Sequence, residues 1–521
     1  MNMNDFLKHV REKDTLTENG ALVHSSTGDV LADQFGLASN YAGRDIDTVF
    51  AEQSLLDSKY GVWALRFVFY LRLITRKVKR YDGTQTESVQ VGEGRRDEAY
   101  KRFLWYSRYK PQLFYENLSL FCTVGSEKDI YNLMFIAEQK GLRLDWRRML
   151  SEVVLTQGET IFNHDFVKKY LPLHRSAKRR TTAWAKFRSR VAVFIRNLIN
   201  VSDKEMRKIK VSGKAHEFQQ LISKKLYEKL DFNKISSKAL MQLINGEKLM
   251  SKPEVARNFE KWVSSKRTIT NTLYPYEILN ESLGKTNWVI KKLKDAQFNY
   301  LIERAKTLQG TTNRKIICAV DNSASMYYCI PGTQVMVTDI AKSLGVFFAN
   351  LLEGPFHNWV IKFSQYSQWV ELSGTPTEMY TQISWKDCPS NTDFLSVIYS
   401  IANVRKSHPG IPESDFPDTL LVVSDMEFDY AGPQTNYERA KDILREYFSE
   451  EYCNRFTFIW WNCASRHKHF QQNISEPGGY VISGFDGSVI QLLLKGVDEQ
   501  KSMSKSIQDI LSQEILQEVK Y

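Results

Sequence analysis

The chain has 521 residues, with 71 basic and 60 acidic side chains and a net charge of +11. Apolar residues at 42% and charged residues at 25% exclude whole-chain disorder, a collagen-like repeat and a small disulfide scaffold. Six scattered cysteines without a C-x-x-C pair argue against a zinc ribbon or thioredoxin-type motif and for a reducing compartment, so the protein is expected to be cytoplasmic.

Taken in chain order, residues 1–50 read as an irregular lead-in punctuated by Gly20, Gly28, Gly36 and Gly43, packing on the module that follows. Helical periodicity begins after Ser54, where Trp63, Phe67, Tyr70, Leu71 and Ile74 recur at three- and four-residue steps. Polar Tyr81–Gly94 reads as a loop. Further helices are predicted over Tyr100–Arg108, Pro111–Cys122, Asp129–Gln139, Trp146–Leu155, Ala183–Ile199, Ala215–Lys229, Ser237–Ile244, Pro253–Ser265 and Asn287–Leu308. No repeat period emerges, so HEAT-like stacking of this 51–312 module is an inference about shape. No apolar stretch approaches the roughly 20 residues of a membrane helix, and no signal peptide is read at the N-terminus.

At Lys315 the pattern changes. KIICAV, Trp359–Phe363, TLLVV (Thr419–Val423), FTFIWW (Phe456–Trp461) and Gly479–Ser483 are short apolar runs separated by the helical stretches Gln334–Leu352, Phe394–Val404 and Tyr437–Phe448. Continuous apolar strands alternating with helices predict a parallel sheet covered on both faces. The expected fold is multidomain α + α/β: an all-helical module, a doubly wound Rossmann-like α/β domain over 313–497, and a C-terminal helix over 498–521. Charge divides the same way. Residues 315–521 hold 16 basic and 25 acidic side chains, which leaves 55 and 35 for residues 1–314.

Three polar clusters fall at strand ends or on the loops beside them, where open α/β sheets bind ligands. They are Asp321-Asn322-Ser323-Ala324-Ser325, Asn391-Thr392-Asp393, and Ser424-Asp425. Two carboxylates (Asp321, Asp425) and three hydroxyls (Ser323, Ser325, Thr392) make an oxygen-only donor set suited to Mg²⁺ or another divalent cation, with room for an acidic group from a partner. The bland alternative is that Asp321 and its serines only cap the next helix.

The basic excess is concentrated in Asp165–Lys214, which carries 15 Lys/Arg against 3 Asp/Glu. His174, Arg175, Lys178, Arg179, Arg180, Lys186, Arg188, Arg190 and Arg196 are interleaved there with Trp184 and Phe187. Cations attract phosphates and aromatic rings stack unpaired bases, so these nine residues are the candidate RNA-binding set. A solvated basic face, or an internal partner for the acidic half, is the alternative. Other signals fall away. Leu283-Gly284-Lys285-Thr286 lacks the first P-loop glycine, its place being taken by Leu279. His467 and His469 near Cys463 read as an ordinary loop, and Ser323 has no G-x-S-x-G elbow.

Asp321, Ser323, Ser325, Thr392 and Asp425 together resemble the metal-ion-dependent adhesion site of von Willebrand factor A domains, with Met426 where that family often has glycine. The front half carries TLTENGAL (Thr15–Leu22), WALRFVFYLR (Trp63–Arg72), GEGRRDEAYKRFLWY (Gly92–Tyr106), KYLP (Lys169–Pro172), KLDFNKISSKAL (Lys229–Leu240) and LYPYEIL (Leu273–Leu279). In this order they resemble an uncharacterised family that joins a helical region to a von Willebrand A domain. That family is akin to the TROVE module of the Ro ribonucleoprotein autoantigens. The resemblance implies a ring of HEAT-like helices that binds RNA. The expectation is a non-catalytic RNA-binding protein with a Mg²⁺-holding domain for closure or partner recruitment. The alternative is an assembly adaptor that binds acidic protein partners through the metal site without nucleic acid. A metal-dependent hydrolase is a weaker third, since no general base stands out beyond Asp393 and Glu427.

Overall fold

The computed structural model describes residues 15–521 apart from 39–43, 81, 127, 154–169, 175–180, 213–216, 246–251, 270–272, 282–286, 309–313, 331–333, 384–390, 465–467 and 475. In chain order its strands are β1 (Thr15–Leu16), β2 (Leu22–Val23), β3 (Ile74–Arg76), β4 (Gln90–Glu93), β5 (Ile316–Asp321), β6 (Trp359–Phe363), β7 (Ser367–Glu371), β8 (Thr419–Ser424), β9 (Thr457–Asn462) and β10 (Gly479–Ser483). The chain forms two compact units. The described residues through Arg44 join Glu260–Leu511 in one, and Asp45–Phe259 joins Ser512–Tyr521 in the other.

The second unit is mainly helical. Its core is aromatic, because WALRFVFYLR and RRDEAYKRFLWY place their rings at helical spacing. The Phe103 and Phe121 rings stack with centroids 4.3 Å apart, and Phe69 meets Phe121 edge-on at 5.4 Å. Burial leaves polar groups no water, so those inside are paired. Arg72 binds Asp129 through both Nε (2.6 Å) and Nη2 (3.0 Å), and the Tyr100 hydroxyl donates to the same carboxylate at 2.6 Å. The helix Val62–Arg72 ends at Leu73, whose ψ of 138° is extended. Ile74, predicted as the last residue of a helical face, instead opens β3. It pairs antiparallel with β4, which lies inside the segment read as a loop. The alternating turn chemistry of Tyr81–Gly94 hid those four residues.

In the first unit six strands form one sheet in the order β10-β9-β8-β5-β6-β7, parallel except for the antiparallel β6–β7 edge. Every residue of β5, β8 and β9 is buried, as expected for strands covered on both faces. The helix Val337–Leu351 packs on β5 at close range. A Cβ on Gly345 would lie 2.6 Å from Val320 Cγ2, so only glycine allows this approach. β7 was not foreseen: its half-exposed residues give no apolar run.

The division of the chain differs from the sequence reading at both ends. The lead-in joins the α/β unit, not the helical module. Thr17 Oγ1 donates to Phe428 O (2.7 Å), His24 exchanges backbone bonds with Phe470, and Ser483 Oγ donates to Phe35 O (2.8 Å). The helix Trp288–Lys306, read as part of the helical module, also belongs to the α/β unit. Residues 498–521 are not one helix but Met503–Ile510 and Glu514–Gln517, the latter within the helical unit. Periodicity reports an element and its apolar face; it does not report which distant segment covers that face.

Candidate metal centre

β5 delivers Asp321 to the sheet's carboxyl edge, and β8 delivers Ser424 and Asp425 beside it. Asp321, Ser323, Thr392 and Asp425 are essentially inaccessible, and Ser325 is half-buried. The Ser323 N–H donates to Asp321 Oδ1 at 2.9 Å, the Ser424 hydroxyl donates to Asp321 Oδ2 at 2.5 Å, and the Ser323 and Ser325 hydroxyls are 3.0 Å apart. A short 3₁₀ turn, Ala324–Met326, follows directly. This is more than a helix cap: neither carboxylate oxygen of Asp321 serves the next helix.

Thr392 arrives from a separate loop. Its N–H donates to Asp429 Oδ2 at 3.0 Å, and the Asp429 N–H donates to Thr392 O at 3.0 Å. Those two bonds fasten the Thr392 loop to the turn that follows Asp425. Asp429 had no signal in the sequence, because an aspartate four residues beyond the motif is common by chance. Ser424 was named in the third polar cluster but not among the five donors. Met426 stands at φ +70°, the left-handed region that favours glycine. Its carbonyl accepts from Gln471 Nε2 at 3.0 Å, and its N–H donates to Ser424 Oγ at 2.9 Å.

The centre is electrostatically unfavourable as it stands. Burial raises the Asp321 carboxyl, partly offset by its bonds from Ser424 and Ser323, while the Asp429 charge adds to the rise. Burial raises Asp425 well above the usual range and the charges of Asp321 and Glu427 raise it further, against a smaller lowering by the Glu427 N–H and the Ser325 hydroxyl. Two buried side-chain oxygens, Thr392 Oγ1 and Asp425 Oδ2, have no hydrogen-bond partner among the described residues. Buried oxygens are rarely left so, and paired buried carboxylates call for a cation. The residues therefore fit a hard divalent ion. Among the described residues no group of three or more His, Cys, Asp or Glu could hold a metal, so any such ion depends on the hydroxyls as well as the two carboxylates.

The basic candidates have different surroundings. Arg175, Lys178, Arg179 and Arg180 lie outside the described residues. On the helix Ala183–Leu198, Arg190 pairs with Glu138, and Arg196 pairs with Asp203 at 3.0 Å. His174 lies 3.7 Å from Asp203, and Arg188 Nη2 donates to Tyr170 O at 3.4 Å. Lys186 is exposed. The aromatic rings pack on one another: Trp184 stacks on Phe187 at 5.5 Å and meets Phe135 at 4.9 Å, and Trp146 meets Phe187 at 5.8 Å. Trp184 and Phe187 thus serve the packing of this unit. His469 is buried 3.5 Å from Glu427, and His467 and the Gly284–Thr286 segment lie outside the described residues. No helix of the described residues is long and apolar enough to cross a membrane.

Comparison with known proteins adds three findings. A family model described as "Domain of unknown function (DUF7788)" matches residues 315–520, the stretch that begins with β5. The uncharacterized protein L728 of Acanthamoeba polyphaga mimivirus is 24% identical over 329 residues, covering 58% of this chain. The chain spans about half the length of that relative, 54%. Among solved structures, the Ro (RSR) protein of Deinococcus radiodurans aligns over 91% of this chain and 100% of its own, at 12% identity and a TM-score of 0.39.

Proposed function

We propose that this chain is a non-catalytic binding protein whose α/β unit holds a divalent cation, Mg²⁺ by the chemistry of its donors, and through it recruits a partner's acidic group. Asp321, Ser323, Ser325, Thr392 and Asp425 would hold the ion. When bound, the cation supplies an acceptor for one oxygen ligand from outside the chain, since two carboxylates and three hydroxyls leave a six-coordinate ion short of ligands. The observation that carries this reading is the pair of buried, unpartnered oxygens, Thr392 Oγ1 and Asp425 Oδ2, in a cluster with two crowded carboxylates. Ser424 and Asp429 act as positioning residues.

Thermal unfolding with and without Mg²⁺ tests the reading. Saturating cation at 100 times Kd stabilises the α/β unit by about 2.7 kcal/mol. Asp321→Ala removes that gain. An unfolding curve indifferent to Mg²⁺ and Mn²⁺ overturns it.

A second reading, RNA binding by the basic front half, is favoured by its charge: 55 basic against 35 acidic side chains in residues 1–314. On this reading the affinity falls steeply with salt, and Arg188→Glu with Arg196→Glu lowers it about tenfold or more. Binding indifferent to salt and to both substitutions would sink it.

A further inference from the structure

A second surface of the α/β unit carries a different chemistry. The helix Trp288–Lys306 places Trp288, Lys291, Lys292, Asp295 and Asn299 on one stripe, at the three- and four-residue steps that align side chains. With Lys266 and Arg267 on one side, and Thr375 and the start of the helix Pro376–Ile383 on the other, these residues line an open cleft of about 500 Å³. The cleft is remote from the metal centre along the sheet. β7 runs back from Ser367, opposite Phe363 at the Asp321 level, to Glu371, opposite Trp359, and the cleft loop follows β7.

The charge in the cleft is not balanced within it. Lys266, Arg267, Lys291 and Lys292 are all exposed. The two carboxylates there already serve the protein's own groups. Asp295 accepts from the Thr377 N–H (2.8 Å) and hydroxyl (3.2 Å), and Glu378 accepts from the Thr375 N–H at 2.7 Å. Arg267 has a distant pairing with Glu303 at 3.9 Å; among the described residues Lys266, Lys291 and Lys292 have no ion pair. The first turn of the 19-residue helix contains no acidic residue, and lysines follow directly. That order opposes the usual preference for carboxylates near a helix N-terminus and costs stability unless an anion arrives. Beside the cations, Trp288 is 56% exposed at the first helical position.

Cations alone would suit any polyanion. An exposed indole among them adds a flat apolar face, which a duplex, with its bases already stacked, cannot use. Single-stranded nucleic acid supplies both phosphates and unpaired bases. We propose that this cleft binds single-stranded nucleic acid, with a base stacked on Trp288 and flanking phosphates met by Lys291, Lys292, Lys266 and Arg267. The proposal shares a ligand class with the second reading above but none of the nine basic candidates between His174 and Arg196, and it does not rest on the metal centre.

The test is fluorescence anisotropy of the full chain with labelled oligo(U), oligo(dT) and a duplex of equal length. Trp288→Ala should weaken binding to the single strands by about 5- to 100-fold, and Trp288→Phe should retain most of it. Lys291→Glu with Lys292→Glu should reduce the log–log salt slope by about 1 to 2. Oligo(U) and oligo(dT) separate RNA from DNA as the preferred strand. Unchanged near-ultraviolet circular dichroism in each variant establishes that the fold is intact. Three results overturn the proposal: affinity insensitive to both sets of substitutions, a duplex bound as well as a single strand with no effect of Trp288→Ala, or no binding of the oligonucleotides at all. Loss of binding in the Arg188→Glu, Arg196→Glu variant alone would overturn the cleft and leave the second reading standing.

Discussion

Individual residues decide the candidate metal centre. Burial raises both Asp321 and Asp425, and the Asp321 charge raises Asp425 further, so without a cation this cluster works against the fold. Asp425→Asn removes one charge while keeping an acceptor for the Glu427 N–H, now received at 3.2 Å by Asp425 Oδ1. The expected outcome is a metal-free protein more stable than the parent, and no further gain from Mg²⁺. Calorimetric melting in chelator and in Mg²⁺ checks both halves. A metal-free variant that melts below the parent would show that the carboxylates are not in conflict.

Among the elements, the helix Asn436–Tyr447 carries a lysine whose charge is poorly placed. Lys441 Nζ is buried, donates to Cys453 O and Phe456 O, each at 2.7 Å, and sits near the Phe456 and Phe458 rings. Burial lowers it from 10.5 to about 8. The folded state gives up this proton before the unfolded state does, so between pH 8 and 10.5 the unfolded chain binds more protons and stability rises with pH. Lys441→Met cannot show that slope. Chemical denaturation at pH 7.5, 8.5 and 9.5 should find the parent gaining stability relative to the variant across the series; a constant difference would place the lysine in solvent-like surroundings.

For the whole molecule, the significant feature is that each unit is completed by distant sequence. The last ten residues close the helical unit: Gln513 Nε2 donates to Val91 O (3.0 Å), Asn117 exchanges two hydrogen bonds with Lys520, and Ile515 and Leu516 are fully buried. Removal of 512–521 should destabilise the helical unit by on the order of 3 kcal/mol, from the two apolar side chains alone. Hydrogen exchange should accelerate in the helix Pro111–Val124 and stay unchanged in β5 and β8. Uniform acceleration, or none, would refute the division. The lead-in does the same for the α/β unit, where Glu18 N donates to Glu427 Oε2 (2.7 Å) and Asn19 Nδ2 to Glu427 O (2.7 Å), next to the turn that carries Asp425.

What the sequence by itself determined is what is local. The apolar runs of β5, β8 and β9 are buried on both faces, so they read as strands without any knowledge of their neighbours. The D-x-S-x-S spacing sits at the end of such a strand, so its place at the carboxyl edge was legible as well. Tertiary structure decided the rest. Only it brings Asp429 to Thr392, sets Ser424 on Asp321, and spends Arg190 and Arg196 on Glu138 and Asp203. Only it buries Phe187 with Trp184 stacked on it while leaving Trp288 more than half exposed. The physical reason is common to all of these: hydrophobic periodicity and turn chemistry act between neighbours in the chain, whereas charge pairing and burial act between neighbours in space.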